Sequence, residues 1–134
     1  MGAIKDIDKL LNNMNPILNE GEYVFVHSTD ESLMGEPGLI GFFREQEGPT
    51  FILPKITADK MGLTYDFIAS WISLDVHSAL DAVGLTAAFS TCLAKEGISC
   101  NVVAAFHHDH IFVDRKDAKR AMELLSTISN ESIE

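Results

Sequence analysis

The feature that most constrains the fold is the segment after Trp71, where two hydrophobic periodicities follow one another. Ile72, Leu74 and Val76 alternate with Trp71, Ser73, Asp75 and His77, the period of two that a half-buried strand requires. Apolar residues then return at helical spacing, at positions 85, 88, 89, 92 and 93, and Gly97 is well placed to end that helix. The segment therefore predicts a strand followed by an amphipathic helix.

The rest of this half extends the same pattern. Residues 98–106 are rich in β-forming side chains, 107–110 are polar and 111–113 are apolar again, which predicts an antiparallel hairpin. Apolar positions from Ala118 to Ile128 predict a last helix, with a frayed tail over 129–134. Strand, helix, strand, strand and helix is the split βαβ order of a ferredoxin-like domain, one strand short.

The first half supplies nearly the same elements, started one element later. A helix over residues 4–14 precedes a strand over 23–28, a hairpin of residues 39–44 and 50–53, and a short helix over 58–61. The sequence thus predicts an α+β fold of two ferredoxin-like, βαββαβ-type halves, 1–66 and 67–134, that complete each other's sheets. Each antiparallel sheet is expected to be covered by helices on one face.

Composition excludes several functions. The 134 residues carry a formal net charge of −10, which would repel phosphate backbones and anionic lipid, so no nucleic-acid or membrane partner is expected. Lys116, Lys119 and Arg120 form the densest basic cluster, but acids surround them, as on a solvated helix face. Neither a signal peptide nor a membrane span is evident, which predicts a cytoplasmic location. Cys92 and Cys100 fit reduced core residues.

The stretch WISLDVHSALDAVGLTAAFSTCLAKEGISCNVVAAFHHDHIFV resembles an ACT domain of the branch found in aspartate kinases and cytosolic arginine sensors. VGLTAA followed by HDHIFV is the specific part. With EYVFV and FREQEGPTFIL, the whole chain resembles bacterial stand-alone proteins whose C-terminal half is ACT-like. The resemblance implies a regulatory domain that binds a small molecule, in particular an amino acid, and acts through ligand-dependent assembly or control of a partner, as a homodimer and without catalysis.

The resemblance also implies a ligand site between the first strand and first helix of the ACT unit. Unpaired N–H groups at a helix N-terminus suit a carboxylate, and Asp109 could pair with a cationic group of the ligand. The candidate ligand-binding residues are His77, Ser78, Ala79, Leu80, Asp81, Val83, Gly84, Leu85, Thr86, Asn101 and Asp109.

Several of these residues have an alternative role within the fold, Thr86 as part of a solvated helix face. Ser78 and Asp81 have the spacing of a capping box, which would use both side chains internally. Gly84 could serve only packing, Asn101 could cap a neighbouring loop, and Asp109 could cap the hairpin turn through its carboxylate. The residue pattern alone leaves these alternatives open.

Three other classes of protein compete with the sensor. His107, His108, Asp109 and His110 are potential metal ligands, but neighbours in a strand point to opposite faces, so no metal and no cofactor is expected. No nucleophile elbow, phosphate loop or HExxH motif indicates an enzyme. An interaction module without a ligand is the third possibility, with Trp71, Tyr23 and Phe25 as contact residues.

Overall fold

The computed structural model describes residues 14–75 and 84–131. These ranges contain the strands β1 Pro16–Leu18, β2 Tyr23–His27, β3 Gly41–Phe43, β4 Thr50–Pro54, β5 Ile68–Leu74, β6 Asn101–Ala104 and β7 Asp109–Asp114. The helices are α1 Lys55–Lys60, α2 Leu85–Lys95 and α3 Ala118–Glu131, with short 3-10 turns at Glu31–Gly35 and Arg115–Asp117. The mixture of helices and antiparallel strands confirms the α+β, ferredoxin-like class.

The chain divides into two compact units. The central unit is residues 20–70, and the composite unit combines the segment up to Asn19 with everything from Trp71 onward. Strand β5 belongs to both, its first residues to the central unit and the rest to the composite unit. The division into halves 1–66 and 67–134 stays a prediction.

The central unit is a small antiparallel sheet with its own core. Strand β4 lies between β3 and β2, and β2 pairs with the first residues of β5. Alternate residues of β2 and β4 point to one face, where they meet α1 and the 3-10 turn. The buried core is formed by Val24, Val26, Leu33, Phe51, Leu53 and Ala58.

The composite unit carries the larger core. Strand β1 pairs antiparallel with the end of β5, which gives this unit the strand that the order from Trp71 lacked. On the other side of β5 lies β7, followed by β6. Helices α2 and α3 cover one face, and the buried residues are Met14, Ile72, Leu74, Leu85, Phe89, Leu93, Ile98, Ile111, Val113, Ala121 and Leu125.

Helix α2 ends as its sequence predicts. Gly97 adopts a φ of 73°, a left-handed conformation that a side chain disfavours. Its N–H binds the carbonyl of Ala94, while the N–H of Ile98 reaches back to Leu93, both at 3.0 Å. This pair of bonds is the Schellman motif, and burial of both Ile98 and Leu93 completes it.

Several predicted boundaries differ from the structure. Helix α1 begins at Lys55 rather than Ala58, because the Lys55 N–H binds the Glu22 carbonyl and fixes the start against β2. Helix α3 continues to Glu131 instead of fraying from residue 129, since no glycine or proline interrupts it. Strand β1 was not predicted, and the helix over residues 4–14 lies outside the described residues except for the buried Met14.

The hairpin turn spans residues 105–108, two positions earlier than the predicted stretch 107–110. The Ala105 N–H donates to the His108 carbonyl at 3.0 Å, which closes the turn. Asp109 then pairs with Ala104, so it is the first residue of β7. This register decides where the Asp109 side chain points.

Candidate ligand-binding site

Helix α2 begins without a capping side chain. Gly84 is its N-cap residue with a φ of 99°, and within the described residues no side chain bonds to this helix end. The Ala88 N–H donates to the Gly84 carbonyl at 3.0 Å, as the first bond of the helix. The N–H groups of the first turn, including those of Leu85 and Thr86, lack partners inside the helix and carry its positive dipole end.

Leu85 and Thr86 have different roles at this helix start. Leu85 is buried in the core and fixes the helix, whereas the Thr86 side chain is exposed. The Thr86 carbonyl accepts a bond of 2.6 Å from the Ser90 hydroxyl. Of these two predicted residues, only Thr86 therefore presents a side chain to solvent.

Asp109 is a buried acid at the start of β7. It is only 7% exposed, and because it alternates in register with Ile111 and Val113 it points to the helix-covered face. Among the residues described, none donates a hydrogen bond to its carboxylate. The predicted alternative of a turn-capping Asp109 therefore finds no bond that supports it.

Burial also sets the charge behaviour of Asp109. Loss of water raises the pKa of its carboxyl above the ordinary value, and the neighbouring His110 opposes this only partly. A buried carboxylate without donors is unfavourable as an anion. A cationic ligand group beside it would remove that penalty.

The first residues of β7 lie beside the last residues of β5, at one end of these two strands. Trp71 lies against Phe112, Ser73 bonds to His110, and His108 Nδ1 is 3.5 Å from Asp75 Oδ1, so the two strands run antiparallel. Asp75 is the last described residue before Gly84, where α2 begins. Asp109 therefore lies near the last described residues of β5.

Six of the predicted ligand residues lie outside the described residues: His77, Ser78, Ala79, Leu80, Asp81 and Val83. The proposed capping box of Ser78 and Asp81 lies there too. The described helix α2 has Gly84 as its N-cap.

Asn101 is not brought next to Asp109. Asn101 pairs with Phe112, and Asp109 pairs with Ala104 three residues further along β6. Because side chains alternate between faces along a strand, Asn101 points to the face opposite Asp109. Its Nδ2 atom donates to the Phe112 carbonyl at 3.3 Å. This bond ties β6 to β7 and keeps Asn101 on the face opposite the Asp109 side chain.

The sheet face opposite α2 and α3 in the composite unit carries a polar and aromatic cluster that sequence reasoning missed. Trp71 Nε1 donates to His110 Nδ1 at 3.0 Å, and the Ser73 hydroxyl lies 3.1 Å from the same nitrogen. Asn19 Nδ2 in turn donates to Ser73 Oγ at 2.9 Å. The alternation of Trp71 and Ser73 with core residues was the available signal, but it did not name His110 as their partner.

This cluster affects the charge of His110. Burial lowers the pKa of the imidazole, as does the nearby His108, while Asp109 acts in the opposite direction. Since an indole N–H only donates, Nδ1 must be unprotonated to accept it. The geometry therefore favours neutral His110.

Within the described ranges, no group of three or more His, Cys, Asp or Glu side chains is arranged to hold a metal ion. Cys92 and Cys100 are both free thiols, and burial raises the pKa of Cys100 to about 11, which keeps it protonated. None of the described helices is long and apolar enough to cross a membrane.

Two models of the ACT domain match the sequence, one over residues 2–70 and the other over residues 67–127. The chain belongs to the ACT-domain family. ACT domains are regulatory modules that bind small molecules, so the family supports a ligand-binding regulatory role. The two matches meet within strand β5.

Solved structures agree with this family. A protein of unknown function from Vibrio cholerae, described as a possible transport protein, is 43% identical, with a TM-score of 0.84 over 95% of this chain and 98% of its own. The ligand-free regulatory subunit of aspartate kinase from Thermus thermophilus is 9% identical, with a TM-score of 0.61 over 87% of this chain and 98% of its own. At that identity it shows the fold alone. A search of curated protein sequences gives no match.

A third similar structure comes from Agrobacterium tumefaciens. That protein is 19% identical and has a TM-score of 0.63, covering 85% of this chain and 87% of its own. Like the aspartate kinase subunit, it is similar over most of both chains. The arrangement of elements in this protein is thus a recurrent one.

Proposed function

We propose that this protein is a non-catalytic, cytoplasmic sensor that binds an amino acid at the edge of the composite unit and signals as a homodimer. The observation that carries the proposal is the buried Asp109 carboxylate, which lacks a donor among the described residues and lies near the last described residues of β5. Binding would act through assembly or through control of a partner.

An amino acid fits the two kinds of group at this edge. The N–H groups of the first turn of α2 suit a carboxylate, because they lack partners in the helix and lie at its positive end. Asp109 suits an ammonium or guanidinium group through a charge-assisted bond. The two groups are of opposite character, as the two ends of an amino acid are.

Relationship to the ACT domains of aspartate kinases and arginine sensors is part of this proposal. It rests on the Ala105, Phe106, His107, His108, Asp109 pattern, a small residue, an aromatic and a polar pair before the acid. The candidate residues of segment 77–83 remain in the proposed site on the same resemblance.

The alternative is an interaction module that binds no small molecule. Large apolar side chains are exposed on several strands and loops, with Phe43 72% and Phe106 82% exposed. Such side chains are common contact residues. An assembly indifferent to every amino acid would favour this alternative.

A thermal-shift screen of the twenty amino acids tests the proposal, since a ligand that binds only the folded state raises the melting temperature by mass action. One amino acid should stabilise the wild type, and at the same concentration it should stabilise the Asp109→Asn variant much less. The matched control is Asp59→Asn, which changes an exposed acid of the central unit and should keep the response. If no amino acid stabilises the wild type, or if Asp109→Asn responds fully, the proposal is wrong.

A further inference from the structure

The composite unit has a groove between strand β1 and helix α3 that the ligand site does not use. Its volume is about 630 Å³. Leu18, Ala118 and Met122 give it an apolar floor, and its cations are Arg115, Lys116 and Lys119. Three of the ten basic residues of this acidic chain therefore lie around one groove.

The charge of the groove is positive on balance. Its carboxylate, Glu123, is 3.6 Å from Arg120, and Lys116 is 3.0 Å from Asp117. Lys119 is exposed and forms no ion pair with the residues described. An occupant would be expected to bring an apolar side chain together with a carboxylate.

One wall of the groove is a strand edge. Among the strands described, β1 pairs only with β5, so no described strand covers its outer edge. Leu18 aligns with the buried Ile72 and points to the helix-covered face, whereas Ile17 aligns with Ser73 on the other face. The two side chains are 44% and 50% exposed, one on each face of the edge.

Strand β3 of the central unit has the complementary composition. Among the described strands it pairs only with β4, and Phe42 aligns with the buried Phe51 while Phe43 points to the opposite face. They are 44% and 72% exposed. The exposed residues that follow are Arg44, Glu45, Gln46 and Glu47, which are net acidic.

We infer that a second copy of this chain docks its β3 edge against β1, with Phe42 entering the groove of the first copy. In this pairing the helix-covered face of one sheet continues into that of the other. Phe42 then lies against Leu18 and Met122 on that face, and Phe43 lies against Ile17 on the opposite face. Glu45 and Glu47 lie toward the cations of the groove. Pairing of β1 with β3 is favoured over pairing of β1 with β1 of a second copy, because the latter would bring the cations of two grooves together.

This contact is heterologous, with a different surface on each copy. It rests on the assembly part of the proposed function and names the surfaces that this assembly uses. It does not depend on which small molecule binds at Asp109.

The test is a mixing experiment followed by light scattering over a concentration series. Wild-type protein should form dimers or larger assemblies. Leu18→Asp in the groove and Phe43→Asp on the edge should each weaken association by about tenfold or more, because each places a charge in an apolar contact. Phe106→Asp, a control at another exposed apolar residue, should leave association unchanged.

Mixing the two variants is the decisive step. Leu18→Asp keeps a normal edge and Phe43→Asp a normal groove, so an equimolar mixture should form a complex with one chain of each. An interface between two like surfaces would not recover in this way. If circular dichroism shows that Leu18→Asp does not fold, the exposed Lys119→Glu replaces it.

The inference is overturned if the wild type is monomeric at its highest soluble concentration, if Phe43→Asp associates normally, or if the mixture stays monomeric. The thermal-shift response to amino acids distinguishes failure of the docking inference from failure of the sensor proposal. Phe43→Asp should keep its amino-acid response, because its substitution lies outside the site at Asp109.

Discussion

The two units build the same hairpin but differ at the residue that begins its second strand. In the central unit Thr50 opens β4 opposite Phe43, and in the composite unit Asp109 opens β7 opposite Ala104. The Thr50 hydroxyl donates to the Glu45 carboxylate within its own loop. Asp109 has no such donor among the described residues, so only the composite unit presents an unsatisfied acid at this position.

The turns after the preceding strands differ in the same way. In the central unit Asp30 accepts bonds from the Ser32 N–H at 3.0 Å and from the Ser32 hydroxyl at 2.6 Å, which lower the pKa of Asp30. In the composite unit no described side chain caps the helix that begins at Gly84. Described bonds therefore satisfy Asp30 in the central unit, whereas no described side chain bonds to the N-terminal N–H groups of α2.

The largest expected effect comes from the helices that follow these turns. Phe89 of α2 is fully buried, and Phe89→Ala should reduce the free energy of unfolding by about 3–5 kcal/mol, through lost burial and a cavity. Leu33→Ala, in the 3-10 turn of the central unit, should cost about 2–5 kcal/mol. Urea denaturation measures both.

Ligand response distinguishes these two core variants. Phe89→Ala loosens the helix whose N-terminus serves the site, so it should weaken the amino-acid response, while folded Leu33→Ala should retain it. Equal loss of the amino-acid response in both variants would contradict the placement of the proposed ligand site in the composite unit alone.

The next effect concerns the two strand starts. Asp109→Asn should weaken amino-acid binding by about tenfold or more, because a charge-assisted bond is lost. Ligand-free protein should become more stable at pH 7 by about 1 kcal/mol, since a buried carboxylate without a donor is removed. Isothermal titration calorimetry and thermal melting measure the two changes.

The sign of the Asp109 effect follows from its raised pKa. The folded protein holds this proton more tightly than the unfolded chain, so the penalty is fully present above the folded pKa and is relieved as the pH falls toward 3.8. The advantage of Asp109→Asn should therefore disappear in acid. Thr50→Val, the matched change in the central unit, should leave ligand binding intact.

A third pair of variants tests a feature that both units have, a glycine of positive φ directly after a helix. Gly62 after α1 and Gly97 after α2 have φ values of 68° and 73°, and a Cβ on either would meet no heavy atom within 4 Å. Each alanine substitution should therefore cost only the backbone strain, about 1–2 kcal/mol. Equal losses in urea denaturation are expected, and a much larger loss at one glycine would show that its helix end has a further role.

The smallest effect is the pH dependence that His110 contributes. Its folded pKa lies below the ordinary 6.5, so the unfolded chain binds the proton more readily and stability should fall as the pH drops through 6.5 toward the folded value. His110→Gln should flatten the dependence of melting temperature on pH between 7 and 5. An unchanged slope in His110→Gln would contradict this role.

Local patterns predicted most of the fold. Helix α2 followed from apolar spacing and from Gly97, and the hairpins followed from polar breaks between β-forming runs, because these signals lie within a few neighbouring residues. Strand β1 was missed since three residues after Pro16 carry no periodicity, and only its pairing with β5 makes it a strand. Its existence depends on residues far away in the sequence.

The candidate site was predicted less completely for a related reason. The sequence pattern singled out Asp109 but predicted it within the turn. Its burial depends on its pairing with Ala104, which makes it the first residue of β7. Asn101 was grouped with Asp109 although the register points them to opposite faces. The bond from Trp71 to His110 joins residues 39 apart, and no local pattern contains it.

The composition of the two units has a consequence for the order of folding. The central unit is one continuous stretch, so its contacts close loops of modest length, whereas the composite unit needs β1 to meet a strand roughly fifty residues later. Distant pairings form more slowly than local ones. During synthesis, residues 20–70 can assemble before the end of β5 is available to pair with β1, so the composite unit would be the last to become complete.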